Sequence, residues 1–274
     1  MTAGRYPTVV ETPERQAERD AAVTVLAGLA LACAVVVALT AVYAASAPTV
    51  VVAVVLGTAP AVLSSVAVLR RRPLRSTVAD RVTLSRAVLA SGCGAVTVLV
   101  LAGFVPDRSW WLLSLAVPCL LLDAADGLVA RRTGSVSATG ARLDGELDAG
   151  ILVVLSLAVA PVLGAWVLLI GALRYLFLVG SWVRPAWRGP LAHSELRRTV
   201  AGLQGAALAG AVAPVVPLGL AAACVALALV LLVLSFGRDV VALESRTRTR
   251  TGARTGARTG TRATSSVSRY SSRA

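Results

Sequence analysis

Between Asp20 and Arg70 the chain carries not one charged side chain. A helix of a water-soluble fold keeps a polar face, and uninterrupted apolar runs of about 18 residues or more read instead as membrane-spanning helices. The pattern recurs down the chain. It gives about eight apolar helices, near 22–45, 48–69, 83–104, 109–130, 141–162, 164–183, 199–214 and 217–236. The last two are separated only by the turn Pro214-Val215-Val216-Pro217. Charged residues make up 15% of the chain, against about 25% in soluble domains. The expected fold is therefore all-α, a polytopic membrane protein. The first apolar run is too long for a secretory signal and leads straight into more membrane.

The polar connections alternate in charge. Arg70, Arg71, Arg72, Arg75 and Arg81 crowd one loop; Arg131, Arg132 and Arg142 flank another; Arg184, Arg188, Arg197 and Arg198 fill a third. The connections between them are neutral at 45–48 and 161–164, and Asp107 offsets Arg108. Arginine-rich loops stay in the cytoplasm, so both termini and the loop between Arg131 and Gly140 are expected inside, with the protein in the cell membrane. All 27 basic residues are arginine, which we read as a feature of genome composition. The four cysteines, Cys33, Cys93, Cys119 and Cys224, lie singly in apolar runs and read as small buried hydrophobes. A lone His193 cannot build a metal site.

Acids inside a membrane helix are expensive, and so point to function. They gather in one hairpin. Asp123 and Asp126, three apart, end one helix; Asp144 and Asp148, four apart, begin the next. Each pair shares a helix face, and a short loop lets the two helices pack antiparallel. Four neighbouring carboxylates repel unless protons or cations intervene, and hard oxygen ligands favour Mg²⁺, Mn²⁺ or Ca²⁺. The plainer alternative is surface pairing with Arg131, Arg132 and Arg142.

The stretch Asp123-x2-Asp126-Gly127-x2-Ala130-Arg131-x8-Gly140-x3-Asp144-x3-Asp148 resembles the signature of the CDP-alcohol phosphatidyltransferase family at every fixed position. Thr83-Leu-Ser-Arg86 resembles the family's T-x-x-R, although Asp80 stands where an Asn is usual. Arg197-Arg198-Thr199 with Gln204 resembles a later basic element. The likeness covers about 80–236, a six-helix core. It leaves 1–21 as a cytoplasmic extension, 22–69 as two additional transmembrane helices and 245–274 as a disordered basic tail.

The resemblance implies a transferase of phospholipid biosynthesis. An alcohol would attack the lipid-side phosphorus of a CDP-linked lipid such as CDP-diacylglycerol, and CMP would leave. It implies two divalent ions, Mg²⁺ or Mn²⁺, on Asp123, Asp126, Asp144 and Asp148, with Asp148 also the catalytic base. It assigns nucleotide contacts to Gly127, Ala130, Arg131, Gly140 and Thr83, and it implies a homodimer. Small residues also serve helix packing, the competing reading for the glycines and alanine.

Arg142, Arg174, Arg197 and Arg198 are candidates to bind an acceptor phosphate, which tilts the acceptor toward a phosphorylated polyol such as inositol phosphate or glycerol phosphate. Members of the glycerol-phosphate type usually carry Pro after the third Asp and Lys after the fourth; Gly145 and Ala149 stand here. Arg174 lies inside a predicted helix and needs a partner, whereas Glu146 has no assigned role. Two rival classes are a cation-dependent transporter, which predicts acids at several depths, and a non-catalytic scaffold, which predicts losses in the motif. The tail from Ser245 suits anionic lipid headgroups or plain solvation; with Tyr270 its only aromatic, no nucleic-acid partner is expected.

Overall fold

The structure is a computed structural model that describes residues 13–70, 78–133, 138–184 and 195–268. Within those segments the side chains of 126–133, 138–144, 195–198 and 246–268, with a few isolated others, lie outside the description. Among the described residues the chain is all-helical: α1 (Pro13–Val42), α2 (Ala47–Leu69), α3 (Val78–Leu101), α4 (Trp110–Thr133), α5 (Ala138–Leu163), a 3₁₀ turn at Ala165–Val167, α6 (Leu168–Val183), α7 (Glu195–Val212) and α8 (Leu218–Ser268). Among the described residues, five stretches are long and apolar enough to cross a membrane: Glu14–Val42, Ala47–Leu69, Asp80–Leu101, Gly145–Leu163 and Leu218–Val241. Trp110–Ala125, Ala165–Gly180 and Thr199–Val212 are shorter apolar helices. On α4 the polar motif takes over the end of the helix, and on α7 the basic Arg197 and Arg198 take over its start; each leaves a shortened apolar part.

The hub is α3, which packs against α1, α2, α4 and α5. Its spanning stretch is 72% buried inside the protein, against 22% for that of α1 and 28% for that of α8. Leu99, Leu112, Leu155, Leu208, Val96, Val159 and Val212 form the core around it. Large apolar side chains point outward instead on α2 (Val51, Val55, Leu63), α6 (Leu176, Val179) and α8 (Leu227, Leu234). That is the inverse of a soluble protein and the pattern lipid requires.

Missing side chains set the helix spacing. A Cβ on Gly94 of α3 would stand 3.2 Å from the Cα of Gly57 on α2. A Cβ on Gly171 of α6 would stand 2.7 Å from the Cα of Val153 on α5. Lipid offers no hydrophobic drive between helices, so close backbone approach at small residues supplies the packing energy. Gly164 turns α5 into the 3₁₀ turn with φ +101°, a conformation that L side chains rarely adopt.

One charged residue has a use beyond offsetting its neighbour. Arg108, in the connection between α3 and α4, donates from Nε to the carbonyl of Ala211 at 3.1 Å and from Nη2 to the carbonyls of Ala213 and Val216. The last carbonyls of a helix have no partners within it, and a cation at that end also meets the negative pole of the helix dipole. Arg108 thus caps α7 and ties the α3–α4 connection to the α7–α8 turn. Phe177 and Phe236 meet edge to face, 5.6 Å apart, between α6 and α8.

The backbone of α8 is helical from Leu218 to Ser268. Ala and Arg are good helix formers, and a helix already nucleated in the membrane extends one hydrogen bond per residue.

Candidate active site

Three helix ends meet at one side of the bundle. The early turns of α3 carry Asp80, Thr83 and Arg86; the last turns of α4 carry Asp123 and Asp126; the first turns of α5 carry Asp144 and Asp148. Consecutive antiparallel helices linked by short connections bring these ends together.

At their meeting point lies Arg86. Its side chain is only 3% exposed. Its Nη2 donates to Oδ1 of Asp148 at 2.5 Å and forms an ion pair with Oδ1 of Asp123 at 2.8 Å. Two oxygens on one nitrogen can be no further apart than the sum of those distances, about 5.3 Å. The carboxylates are about a third exposed, so the guanidinium forms the floor of the site and the acids face outward from it. Cys119, one turn before Asp123, donates weakly from Sγ to the carbonyl of Arg86 at 3.7 Å and closes the floor from below.

Of the four acids expected to hold metal, the structure brings Asp123 and Asp148 together. Asp126 and Asp144 are helical residues of α4 and α5, but their side chains lie outside the described residues, as do those of Gly127, Ala130, Arg131, Gly140, Arg142, Arg197 and Arg198. Among the described residues no group of three metal-ligating side chains is assembled. The described pair still fits a divalent ion on two counts. Its donors are hard carboxylate oxygens, and they converge on one cation at contact distance. Thr83 is partly buried, three residues before Arg86.

Arg174, which needs a partner, and Glu146, which the sequence gives no role, are partners of one another. Nη2 of Arg174 on α6 lies 2.8 Å from Oε1 of Glu146 on α5, and both side chains are about half exposed. A Cβ on Gly145 would stand 3.3 Å from the same nitrogen. Gly145 therefore lets the guanidinium lie flat on α5 between the positions of Asp144 and Asp148. Only a glycine allows this approach without moving the arginine.

The residue that sequence reasoning missed is Arg86. The sequence shows it only as the last residue of the T-x-x-R likeness. The available signal was an arginine at the start of an apolar span, a place where an ionisable group needs a partner.

The sequence profile of the CDP-alcohol phosphatidyltransferase family matches residues 76–235, from the start of α3 into α8, and leaves α1 and α2 outside. No curated protein and no solved structure matches the chain.

Proposed function

The chain belongs to the CDP-alcohol phosphatidyltransferase family of membrane-bound transferases of substituted phosphate groups, and from that premise we propose that it moves a phosphatidyl group from CDP-diacylglycerol to the hydroxyl of a small phosphorylated polyol, releasing CMP at the cytoplasmic face. The meeting of Asp123 and Asp148 on one cation carries this reading. Two acids 25 positions apart in sequence converge where the family's signature needs them to act as a unit.

The family depends on divalent metals, and Asp123, Asp126, Asp144 and Asp148 are the residues that would hold them. Such ions supply neutralisation of the diphosphate and of the departing CMP. Asp148, its carboxylate about a third exposed, accepts the proton of the acceptor hydroxyl. The acceptor oxygen then bonds to the lipid-side phosphorus, and the bond from that phosphorus to the CMP oxygen breaks. Positioning and charge neutralisation carry most of such a transfer. Gly127, Ala130 and Gly140, with Arg131 and Thr83, are the residues assigned to the nucleotide.

Acceptor selection belongs to the arginines. Arg174 lies across Gly145, beside the acid helix, and its planar fork matches phosphate oxygens. Its half-exposed pair with Glu146 is weak enough for an acceptor phosphate to displace. Arg142, Arg197 and Arg198 join it in this assignment. Cytoplasmic termini and a homodimer belong to the same proposal. Against a transporter, the described acids of α3, α4 and α5 sit at one end of the bundle rather than at several depths.

The test is CMP release from CDP-diacylglycerol by purified protein, with acceptors screened by product mass. Release needs Mg²⁺ or Mn²⁺, stops in EDTA and is lost in Asp148→Ala. Release that persists unchanged in that variant overturns the mechanism.

A further inference from the structure

Arg86 holds an electrostatic position that the reaction alone does not account for. A guanidinium keeps its proton at any pH a fold survives, so the charge under the acid cluster is permanent. Divalent ions are not, because they come and go with their concentration. When they leave, carboxylates crowded onto two helix ends repel, and the ends of α4 and α5 are pushed apart. Arg86 stands where it opposes this. One nitrogen meets Asp123 of α4 and Asp148 of α5 together. The arginine itself cannot drift, because α3 is wedged among α1, α2, α4 and α5. Its place is fixed by packing, and the acids come to it.

We propose that Arg86 is a resident counter-cation, a positioning residue that holds Asp123 and Asp148 in register while no divalent ion is bound. The inference rests on the phosphotransfer reading of this site. It has a distinctive consequence. Metal and arginine neutralise the same carboxylates, so their stabilising effects overlap. Added metal then steadies the native protein little, and steadies a protein lacking the arginine charge much more.

The experiment is thermal unfolding of the full chain in nanodiscs, in EDTA and in saturating Mn²⁺. Wild type is compared with Arg86→Gln, Arg86→Lys and the double variant Arg86→Gln/Asp148→Asn. Removing one partner of a buried ion pair is strongly destabilising, so Arg86→Gln in EDTA melts roughly 10 °C below wild type. Mn²⁺ recovers at least half of that loss, a larger rise than it gives wild type. Arg86→Lys keeps the charge and responds to Mn²⁺ as wild type does. The double variant, with one acid neutralised, melts above Arg86→Gln in EDTA. A loss in Arg86→Gln that is equal in both media, complete unfolding in both included, makes Arg86 a packing residue and overturns the proposal; so does a lysine variant that responds to metal like the glutamine one. CMP release by the wild-type protein is measured separately. Its absence sinks the reaction, while the metal dependence of stability still decides the role of Arg86.

Discussion

Gly171→Ala should disturb the enzyme by moving two helices, without changing any polar side chain. The new Cβ would stand 2.7 Å from Val153 Cα, 2.9 Å from its Cγ2 and 3.1 Å from its backbone nitrogen. Carbon atoms pack at about 3.5–4.0 Å, so the contact falls short by roughly 0.8–1.3 Å. The nearest atom is backbone and cannot rotate away, so α5 and α6 must separate. Overpacking of this kind costs about 1–3 kcal/mol. At roughly 2–4 °C per kcal/mol for a chain of this size, the melting temperature falls by about 2–12 °C. Arg174 follows Gly171 on α6 by one turn, and it lies on α5 beside the acids. A shift near 1 Å between reacting groups can cost about 10²-fold in rate, so CMP release drops by about 10- to 100-fold. The control is Gly202→Ala on α7, where a Cβ meets nothing within 4 Å. That variant stays within about 0.5 kcal/mol of wild type. Thermal unfolding of the two proteins, with CMP release alongside, decides the matter. If Gly171→Ala is as stable as Gly202→Ala, the absent side chain does not set the α5–α6 distance and the reasoning fails.

Arg174→Ala should cost under about 1 kcal/mol of stability, because its pair with Glu146 is half exposed, yet raise the acceptor KM about 10-fold, the loss expected for one phosphate contact. An equal rise in the KM for CDP-diacylglycerol would refute an acceptor role. Arg108→Ala removes a charged donor from three carbonyls at the end of α7 and should cost about 3 kcal/mol in thermal unfolding. Its CMP release at low temperature stays normal, since Arg108 lies at the end of the bundle away from the acids; a loss below about 0.5 kcal/mol would show that the cap is idle. A cysteine at Ser46, between α1 and α2, should react with an impermeant maleimide on intact cells, and one at Ser76 only after lysis. The reverse pattern would invert the proposed orientation.

The helices were legible because lipid imposes a simple rule. Every backbone group must be satisfied within its own segment, so long apolar runs leave little choice, and even the break at Pro214–Pro217 falls between α7 and α8. Spacing places Asp123 with Asp126 on one helix face and Asp144 with Asp148 on another, and the short loop between the helices points to a meeting of the two. Which side chains pair across helices was not legible. Arg86 meets Asp148 across 62 positions, and Arg108 reaches carbonyls more than 100 positions away. Nothing local announces such partners. The sequence shows that Arg174 needs a partner and gives Glu146 no role, and the α5–α6 packing makes them a pair. Arg108 was misjudged for a different reason: adjacent opposite charges cancel in a tally, but their side chains need not meet.

The contact of α2 with α3 at Gly57 and Gly94 reaches past packing. The family match begins at residue 76, so two flanks of the most enclosed core helix are covered by segments that the match does not include. A twin molecule approaching in the bilayer finds those flanks already taken. On those flanks a neighbour meets the outer sides of α1 and α2, while among the described residues 72% of the α3 spanning stretch, the buried Arg86 with it, lies inside the protein.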